Sequence, residues 1–272
     1  AKLSIYNSLL SEYAVAGFDY GYAFATPNGL TVWEAQFGDF NNGAQILFDQ
    51  FLSAAEDKWR TMNGLTLMLP HGYEGMGSEH SSGRMERFLQ LGSGENMLIC
   101  NITEPANYFH LLRRQVKWSF RKPLIIFTPK KLLRYPLAVS SFQQMGKGGF
   151  QKVIDDPRHV DATSAGRVDT VMLCTGKVYY DIVEQLQEVQ ADNLAFVRLE
   201  QIHPLPVGEL DQIIQKYGRD ANYVWVQEEP QNMGAWSFML QHFTRVPLSV
   251  ISRPMSASPA SGSSEVHKSR QQ

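Results

Sequence analysis

The chain has 272 residues, of which 43% are hydrophobic and 19% are charged, and its net charge is −2 at neutral pH. This size and composition predict one large or two ordinary globular domains. The small net charge argues against a general electrostatic attraction to nucleic acid or to an anionic membrane. No apolar run approaches the roughly 20 residues that span a bilayer.

The two cysteines, Cys100 and Cys174, lie in apolar segments that we predict to be strands. Free, buried thiols are expected there, because neither their number nor their spacing suggests a disulfide framework. This predicts a reducing compartment, namely the cytoplasm of a bacterium or the mitochondrial matrix. The sequence lacks an initial Met and starts within sequence typical of an ordered domain, so we interpret it as a C-terminal portion of a longer protein.

The first predicted helix begins after Ser11, a residue that is favoured at helix N-termini. Its apolar residues recur at helical spacing, and they are Ala14, Val15, Phe18 and Tyr22. Glu12 in the first turn has an ordinary structural interpretation, because the helix dipole favours an acidic side chain there.

A strand at 30–33 and a helix after Gly43 follow. The helix is predicted to bury one stripe, which consists of Ile46, Leu47, Phe51, Ala54, Ala55 and Trp59. In the loop between strand and helix, Phe37 and Phe40 are most simply interpreted as aromatic residues of the core.

A glycine-rich polar loop then lies between a buried strand at 65–69 and a helix that starts near Met85. In α/β proteins, ligands bind at such junctions of strand, loop and helix. The glycines allow close approach of the backbone to a ligand, and His71 and His80 can titrate near neutral pH. The alternative interpretation is a surface loop with two incidental histidines.

Further strands are predicted at 97–101 and 124–127, with a helix between them that Thr103 caps. Its buried face is predicted to contain Tyr108, Leu111, Leu112 and Val116. The alternation of predicted strands and helices breaks between Lys130 and Arg167, where turn-forming residues are frequent. We therefore predict three segments, which are a first domain at 1–145, a linker at 146–167 and a second domain at 168–272.

The second domain repeats the alternation of strands and helices. Strands are predicted at 171–174, 194–199, 223–226 and 248–251, and helices follow Lys177 and Pro206. The predicted fold class is therefore α/β, with two doubly wound and mostly parallel sheets.

Glu228 and Glu229 follow the predicted strand at 223–226 and could be considered as an acid–base pair. Adjacent side chains in a strand point to opposite faces, so we interpret them instead as structural, capping or interface residues. The tail from Ser256 is predicted to lie along the surface.

The segment His-Gly-Tyr-Glu-Gly-Met-Gly-Ser-Glu-His-Ser-Ser-Gly-Arg-Met-Glu-Arg-Phe-Leu-Gln at 71–90 resembles the decarboxylating first component of the 2-oxoglutarate dehydrogenase complex. The resemblance extends along the chain at residues 8–91, 103–141, 175–181, 227–230 and 253–260. That family belongs to the transketolase-like superfamily, whose enzymes use thiamine diphosphate. The resemblance implies a pyrimidine-binding domain at 1–145 and a transketolase C-terminal-like domain at 168–272.

The resemblance also implies roles for individual residues. Glu12 would be the acid that activates the cofactor, and Leu10, Gln36 and Phe40 would lie beside its aminopyrimidine ring. His80, at the N-terminal edge of its helix, would face the substrate, and His71 is a weaker candidate for the substrate site.

Two short dipeptides lie where a metal motif could be sought. Gly38-Asp39 and Asn41-Asn42 resemble the two ends of the family's metal motif. In the family, a stretch of helical length separates these ends, whereas here they almost touch. No metal ligands are therefore assigned to this chain, and Mg²⁺ is expected to bind to an upstream domain.

The activity that the resemblance implies is the decarboxylation of 2-oxoglutarate and transfer of the succinyl group to the lipoyl arm of a partner succinyltransferase, in the tricarboxylic acid cycle. A homodimer is expected, because the superfamily builds its site from two subunits, and the 272 residues alone are expected to be inactive. Two alternatives remain, which are a 2-oxoadipate or other 2-oxo acid dehydrogenase and a non-catalytic interaction module that retains the fold.

Overall fold

The computed structural model describes residues 2–9, 11–186 and 191–271. The helices within these residues are α1 (Glu12–Ala25), α2 (Gln45–Leu47), α3 (Ala55–Trp59), α4 (Met85–Leu91), α5 (Pro105–Lys117), α6 (Phe142–Gly146), α7 (Ala162–Ala165), α8 (Val178–Leu186), α9 (Val207–Tyr217), α10 (Trp236–His242) and α11 (Ser264–Gln271). The strands are β1 (Val32–Glu34), β2 (Thr66–Leu69), β3 (Leu98–Asn101), β4 (Leu124–Phe127), β5 (Val153–Ile154), β6 (Thr170–Cys174), β7 (Leu194–Leu199), β8 (Gln201–His203), β9 (Asn222–Pro230) and β10 (Leu248–Arg253).

The first sheet has the strand order β1-β2-β4-β3-β8, and its first four strands are parallel. The strands β3 and β4 are buried along their whole length, which explains their almost continuous apolar sequence. Parallel strands end at the same edge of a sheet, so the loops that follow β1, β2 and β4 lie together.

The second sheet has the order β10-β9-β6-β7-β5, and of the described strands of this sheet only β5 runs antiparallel to its neighbour. One cluster of buried apolar residues extends from Leu67 and Ile125 of the first sheet to Val171 and Trp225 of the second. Two mostly parallel sheets with helices confirm the predicted α/β fold.

Two short edge strands lie outside the segments that the sequence suggested. β5 belongs to the predicted linker and pairs with β7, whereas β8 follows the second sheet's β7 in sequence but pairs with β3 of the first sheet. Both run antiparallel and close an edge that would otherwise expose unpaired backbone groups. The division into segments at 145 and 167 stays a prediction.

The burial stripe predicted for residues 46–59 is largely wrong, and α1 also leaves apolar side chains exposed. In α1, the buried residues are Ala16 and Ala23, while 70% of Phe18 is exposed. Of the stripe predicted for residues 46–59, only Leu47 and Ala55 are buried. A π-helical turn at Phe48–Leu52 interrupts this segment and changes the number of residues per turn. Residues at regular α-helical spacing therefore no longer lie on one face of the segment.

Two details of α5 also differ from the prediction. Its N-cap is Glu104, and Thr103 instead donates its backbone N–H to Glu200 at 3.0 Å. Its buried face includes polar side chains, whereas Val116 is 38% exposed and Tyr108 and Leu112 are only partly buried. Burial of His110 is possible because its Nε2 lies 2.8 Å from the carbonyl oxygen of Gln144.

The tail contains α11, which the sequence did not predict. It lies over the loop that follows β2, where a Cβ at Gly75 would be 3.4 Å from Cδ2 of His267. None of the helices formed by the described residues is long and apolar enough to cross a membrane.

Candidate active site

The loop between β2 and α4 is held closed by its own hydrogen bonds. The backbone N–H of Gly72 donates to the carbonyl oxygen of Ser81 at 3.0 Å, and the N–H of His80 donates to Gly77 at 3.0 Å. The hydroxyl of Ser81 also donates to Gly77, at 2.9 Å. The structure thus contains a folded loop at the carboxyl end of β2 rather than a free surface segment.

His71 lies at the base of this loop and is buried. Its Nδ1 accepts the backbone N–H of Gly83 at 3.1 Å, so this nitrogen carries no proton. Its Nε2 therefore carries the proton and donates to Oε1 of Glu229 at 2.7 Å. Burial lowers the pKa of His71, but the hydrogen bond and the charge of Glu229 outweigh burial and bring that pKa above its ordinary value.

Glu228, the residue before Glu229, contacts the same loop at the backbone of Tyr73. Its carboxylate accepts the backbone N–H of Tyr73 at 3.2 Å and forms an ion pair with Lys177. Burial raises the pKa of Glu228. The structure places both carboxylates of β9 at the interface between the two sheets, in agreement with the sequence interpretation.

His80 belongs to an aromatic cluster with Phe37 and Phe40. Its ring centroid lies 4.4 Å from that of Phe37 and 5.8 Å from that of Phe40, and both pairs are edge-to-face. All three side chains are half-buried, and the ammonium group of Lys130 lies 3.4 Å from the centroid of Phe37. The prediction that His80 lies at the edge of a helix is wrong, because the helix begins only at Met85.

Glu12 is half-buried in the first turn of α1, which begins where Ser11 accepts the N–H of Ala14. The helix packs against the 3₁₀ segment Gly38–Ala44. A Cβ at Gly43 would lie 3.4 Å from Oε2 of Glu12, so the glycine leaves room beside the carboxylate. Within the described part of the chain, no group donates a hydrogen bond to that carboxylate.

The structure shows less about Gln36 and Leu10, the other two residues predicted to bind the cofactor. Gln36 has an exposed side chain, and its carbonyl oxygen accepts from Lys130 at 2.7 Å. Leu10 lies outside the described residues. The structure therefore brings Phe40 together with His80 and packs the segment of Phe40 against the helix of Glu12, and the functional roles of all these residues stay predictions.

The Gly38-Asp39 and Asn41-Asn42 segment binds protein groups. The carboxylate of Asp39 accepts the N–H of Ser82 at 3.0 Å, and the amide of Asn41 donates to the carbonyl oxygens of Gly38 and Gly83 at 2.7 Å. Burial raises the pKa of Asp39. Among the described residues, no group of three or more His, Cys, Asp or Glu side chains is arranged to hold a metal ion.

The interpretation of the sequence missed the contacts that β9 and Lys177 make with the loop. His71 and Glu229 are 158 positions apart, and Lys177 is 3% exposed although a lysine is usually at the surface. The available signal was the pair of acidic residues at the end of an apolar strand, where a buried carboxylate requires a partner.

Comparison with known proteins identifies the family. Residues 2–136 match the family described as transketolase, pyrimidine binding domain, and residues 139–272 match 2-oxoglutarate dehydrogenase C-terminal. The chain is 50% identical over 277 residues to the 2-oxoglutarate dehydrogenase E1 component of Cupriavidus necator, with 100% of this chain and 29% of the relative covered. The E1 component of Rickettsia felis is 47% identical, with 100% of this chain and 28% of the relative covered.

A third relative is also a 2-oxoglutarate dehydrogenase E1 component. It is the E1 component of Haemophilus influenzae, with 46% identity over 99% of this chain and 29% of the relative. The chain thus spans under a third of the length of these curated relatives. Because the two family matches together extend over almost every residue and agree with these relatives, the chain belongs to the family of 2-oxoglutarate dehydrogenase E1 components.

Proposed function

We propose that the chain is part of a 2-oxoglutarate dehydrogenase that decarboxylates 2-oxoglutarate with thiamine diphosphate. The observation that carries the proposal is the identity of 46–50% to E1 components along nearly the whole chain. The half-buried carboxylate of Glu12 supports it, because no group among the described residues donates a hydrogen bond to it and the neighbouring Gly43 has no side chain to cover it.

The residues present fit the aminopyrimidine half of the cofactor. A ring of this kind requires an acid for its ring nitrogen and an aromatic face for stacking. Glu12 supplies the acid, and Phe40, on the segment that packs against α1, supplies a half-buried aromatic face. Gln36 would contact the same ring, as would Leu10, which lies outside the described residues.

The chain's own residues then have separate tasks. Thiamine diphosphate, when bound, supplies the nucleophilic carbon and accepts the electrons that decarboxylation releases. Glu12 holds a proton at the ring nitrogen of the aminopyrimidine, and Phe40 orients that ring. His80 faces the 2-oxo acid, while His71, buried beneath the loop, shapes the loop rather than touching substrate.

The assembly that this function requires is larger than the chain. We propose that Mg²⁺ and the diphosphate bind to a domain that precedes these residues in E1 polypeptides, that two subunits complete each site, and that the succinyl group passes to a lipoyl arm of a succinyltransferase. The compartment proposed for this reaction is the cytoplasm of a bacterium or the mitochondrial matrix, where the two cysteines, both buried and free, remain reduced.

The test measures release of carbon dioxide by a full-length E1 polypeptide that carries this sequence, with thiamine diphosphate and Mg²⁺. The expected result is a higher kcat/KM for 2-oxoglutarate than for 2-oxoadipate, and loss of release from both in the Glu12→Gln variant. A preference for 2-oxoadipate would change the assigned substrate. No release from any 2-oxo acid would favour the interaction module instead.

A further inference from the structure

Glu229 lies on β9 of the second sheet but hydrogen-bonds to the base of the loop that follows β2 of the first. The partner is His71, whose side chain is 1% exposed, while that of Glu229 is 5% exposed. A carboxylate that is buried this deeply is retained only with a good partner, so the bond is a fixed feature of the fold.

The same imidazole holds the far end of the loop. Its Nδ1 accepts the N–H of Gly83, twelve residues later, at 3.1 Å. That bond requires a lone pair on Nδ1, so the ring proton must be on Nε2. Glu229 stabilises that tautomer, because its carboxylate can only accept a hydrogen bond and Nε2 must donate it.

The segment that His71 closes contains His80. Residues 72–83 are fixed at one end by the bond from Gly72 to Ser81 and at the other by the bond from Gly83 to His71. Gly83 is also tied to Asn41, next to Phe40, at 2.7 Å. A change in the His71 ring would therefore be transmitted to the position of His80 in the aromatic cluster.

We infer that Glu229 is a positioning residue, which from the second sheet fixes the tautomer of His71 and so holds the loop that presents His80. The inference rests on the proposed function for its effect on catalysis. Its effect on the loop does not depend on that function and can be measured separately.

The titration of His71 supplies a readout that a purely structural role would not affect. Four carboxylates face this histidine, namely Glu228 and Glu229 of β9, Glu86 of α4 and Asp39 of the 3₁₀ segment. When His71 takes up a second proton, Nδ1 can no longer accept from Gly83. Loss of the negative charge at position 229 lowers the pKa of His71, so release of the loop should then require a lower pH.

The experiment uses the full-length E1 polypeptide and measures amide hydrogen exchange of residues 72–83 as protection factors between pH 5 and pH 8. Glu229→Ala should lower protection of this loop at neutral pH by about 10- to 100-fold, the factor expected for a lost charge-assisted hydrogen bond. Glu229→Gln can still accept from Nε2, so protection at neutral pH should remain close to wild type. Its loss of protection should begin at a lower pH than in wild type.

Glu200→Gln is the matched control. Glu200 is also fully buried and also joins the two halves of the chain, but it binds Thr103 and Asn107 and does not touch the loop. This variant should leave both the protection of residues 72–83 and its pH dependence unchanged. Equal loss of protection in Glu200→Gln and Glu229→Ala would overturn the inference, since the effect would then be general destabilisation.

Catalysis is measured on the same proteins. Glu229→Ala should lower kcat for 2-oxoglutarate by up to about 100-fold through misplacement of His80, while binding of thiamine diphosphate, measured by calorimetry, stays unchanged. A loosened loop with wild-type kcat would overturn the positioning role. If Glu229→Ala does not fold, Glu229→Gln decides the matter: the positioning role is overturned when its loop protection has the same pH dependence as in wild type.

A wild-type protein that is inactive on every 2-oxo acid would contradict the proposed function. The exchange data would still decide whether Glu229 holds the loop.

Discussion

Lys177, in the turn between β6 and α8, forms a buried ion pair with Glu228 of β9, and its ammonium group also donates to Asp181 at 3.0 Å. Only 3% of its side chain is exposed. Burial lowers the pKa of Lys177, but the two carboxylates outweigh burial and bring that pKa above its ordinary value. The lysine is therefore charged and neutralises a carboxylate that binds the backbone of Tyr73.

The first prediction is that Lys177→Met destabilises the protein strongly. Removal of one partner of a buried pair leaves the other charge uncompensated, at a cost of about 3–5 kcal/mol. The measurement is the free energy of unfolding in urea. Lys152→Met is the control, because the pair of Lys152 with Glu209 is 40% and 38% exposed and should contribute about 0–1 kcal/mol. Equal losses of unfolding free energy in the two variants would contradict the conclusion that Lys177 compensates a buried charge.

The second prediction concerns Asp156, which accepts hydrogen bonds from Arg158 and from the backbone N–H of Phe196. Burial raises its pKa, but these bonds outweigh burial and hold that pKa below its ordinary value. A depressed folded-state pKa stabilises the protein above the unfolded-state pKa, and this stabilisation is lost as the pH falls through the folded-state pKa. Asp156→Asn should thus cost about 1.5–3 kcal/mol at pH 7 and progressively less below about pH 4.

The measurement for Asp156 is urea unfolding of wild type and variant at a series of pH values. Asp211→Asn serves as control, because the pair of Asp211 with Arg245 is about half exposed, at 49% and 47%, and should have little effect at any pH. A loss for Asp156→Asn that is independent of pH would show that the carboxylate charge is not the stabilising feature.

The third prediction tests Phe40 in a full-length E1 polypeptide. Phe40→Ala should weaken binding of thiamine diphosphate by about 0.5–1.5 kcal/mol for the ring interaction, beyond the effect of buried area, while the fold survives. Calorimetric titration and thermal unfolding distinguish the two effects. Unchanged affinity with an earlier unfolding transition would mean that Phe40 is only a core residue.

The fourth prediction separates Glu12 from His80. Glu12→Gln cannot share an acidic proton with the cofactor ring, so deuterium exchange at the reactive carbon of bound thiamine diphosphate should slow by about 100- to 10,000-fold without substrate. His80→Ala should leave this exchange near the wild-type rate and impair turnover of 2-oxoglutarate. Normal exchange in Glu12→Gln would remove Glu12 from its role, and equal loss in both variants would place His80 in the cofactor site.

The fifth prediction is that the 272 residues alone, with thiamine diphosphate and Mg²⁺, release no carbon dioxide from 2-oxoglutarate. The chain supplies only the aminopyrimidine half of the proposed site. Decarboxylation by this purified chain would contradict the proposal that a preceding domain binds the diphosphate and the metal. The full-length E1 polypeptide is the positive control.

The sequence by itself determined the elements whose signal is local. The strands at 124–127 and 194–199 have the predicted bounds, and α9 directly follows Pro206, as predicted. The two strands are short apolar runs and α9 has apolar residues at helical spacing, and neighbouring residues are enough to define either signal. The order of residue types at 71–90 is also sufficient to indicate the family, because so long a segment of specific sequence needs no tertiary contact to be recognised.

The tertiary structure alone decided how the distant parts meet. The bonds from Glu229 to His71 and from Glu228 to Lys177 and Tyr73 join segments that are far apart in sequence, and no periodicity records such a pairing. The stripe at 46–59 was predicted wrongly for a related reason, since the π-helical turn changes the geometry on which the period depends. Burial is settled by which elements cover one another, and that depends on the packing of the whole chain.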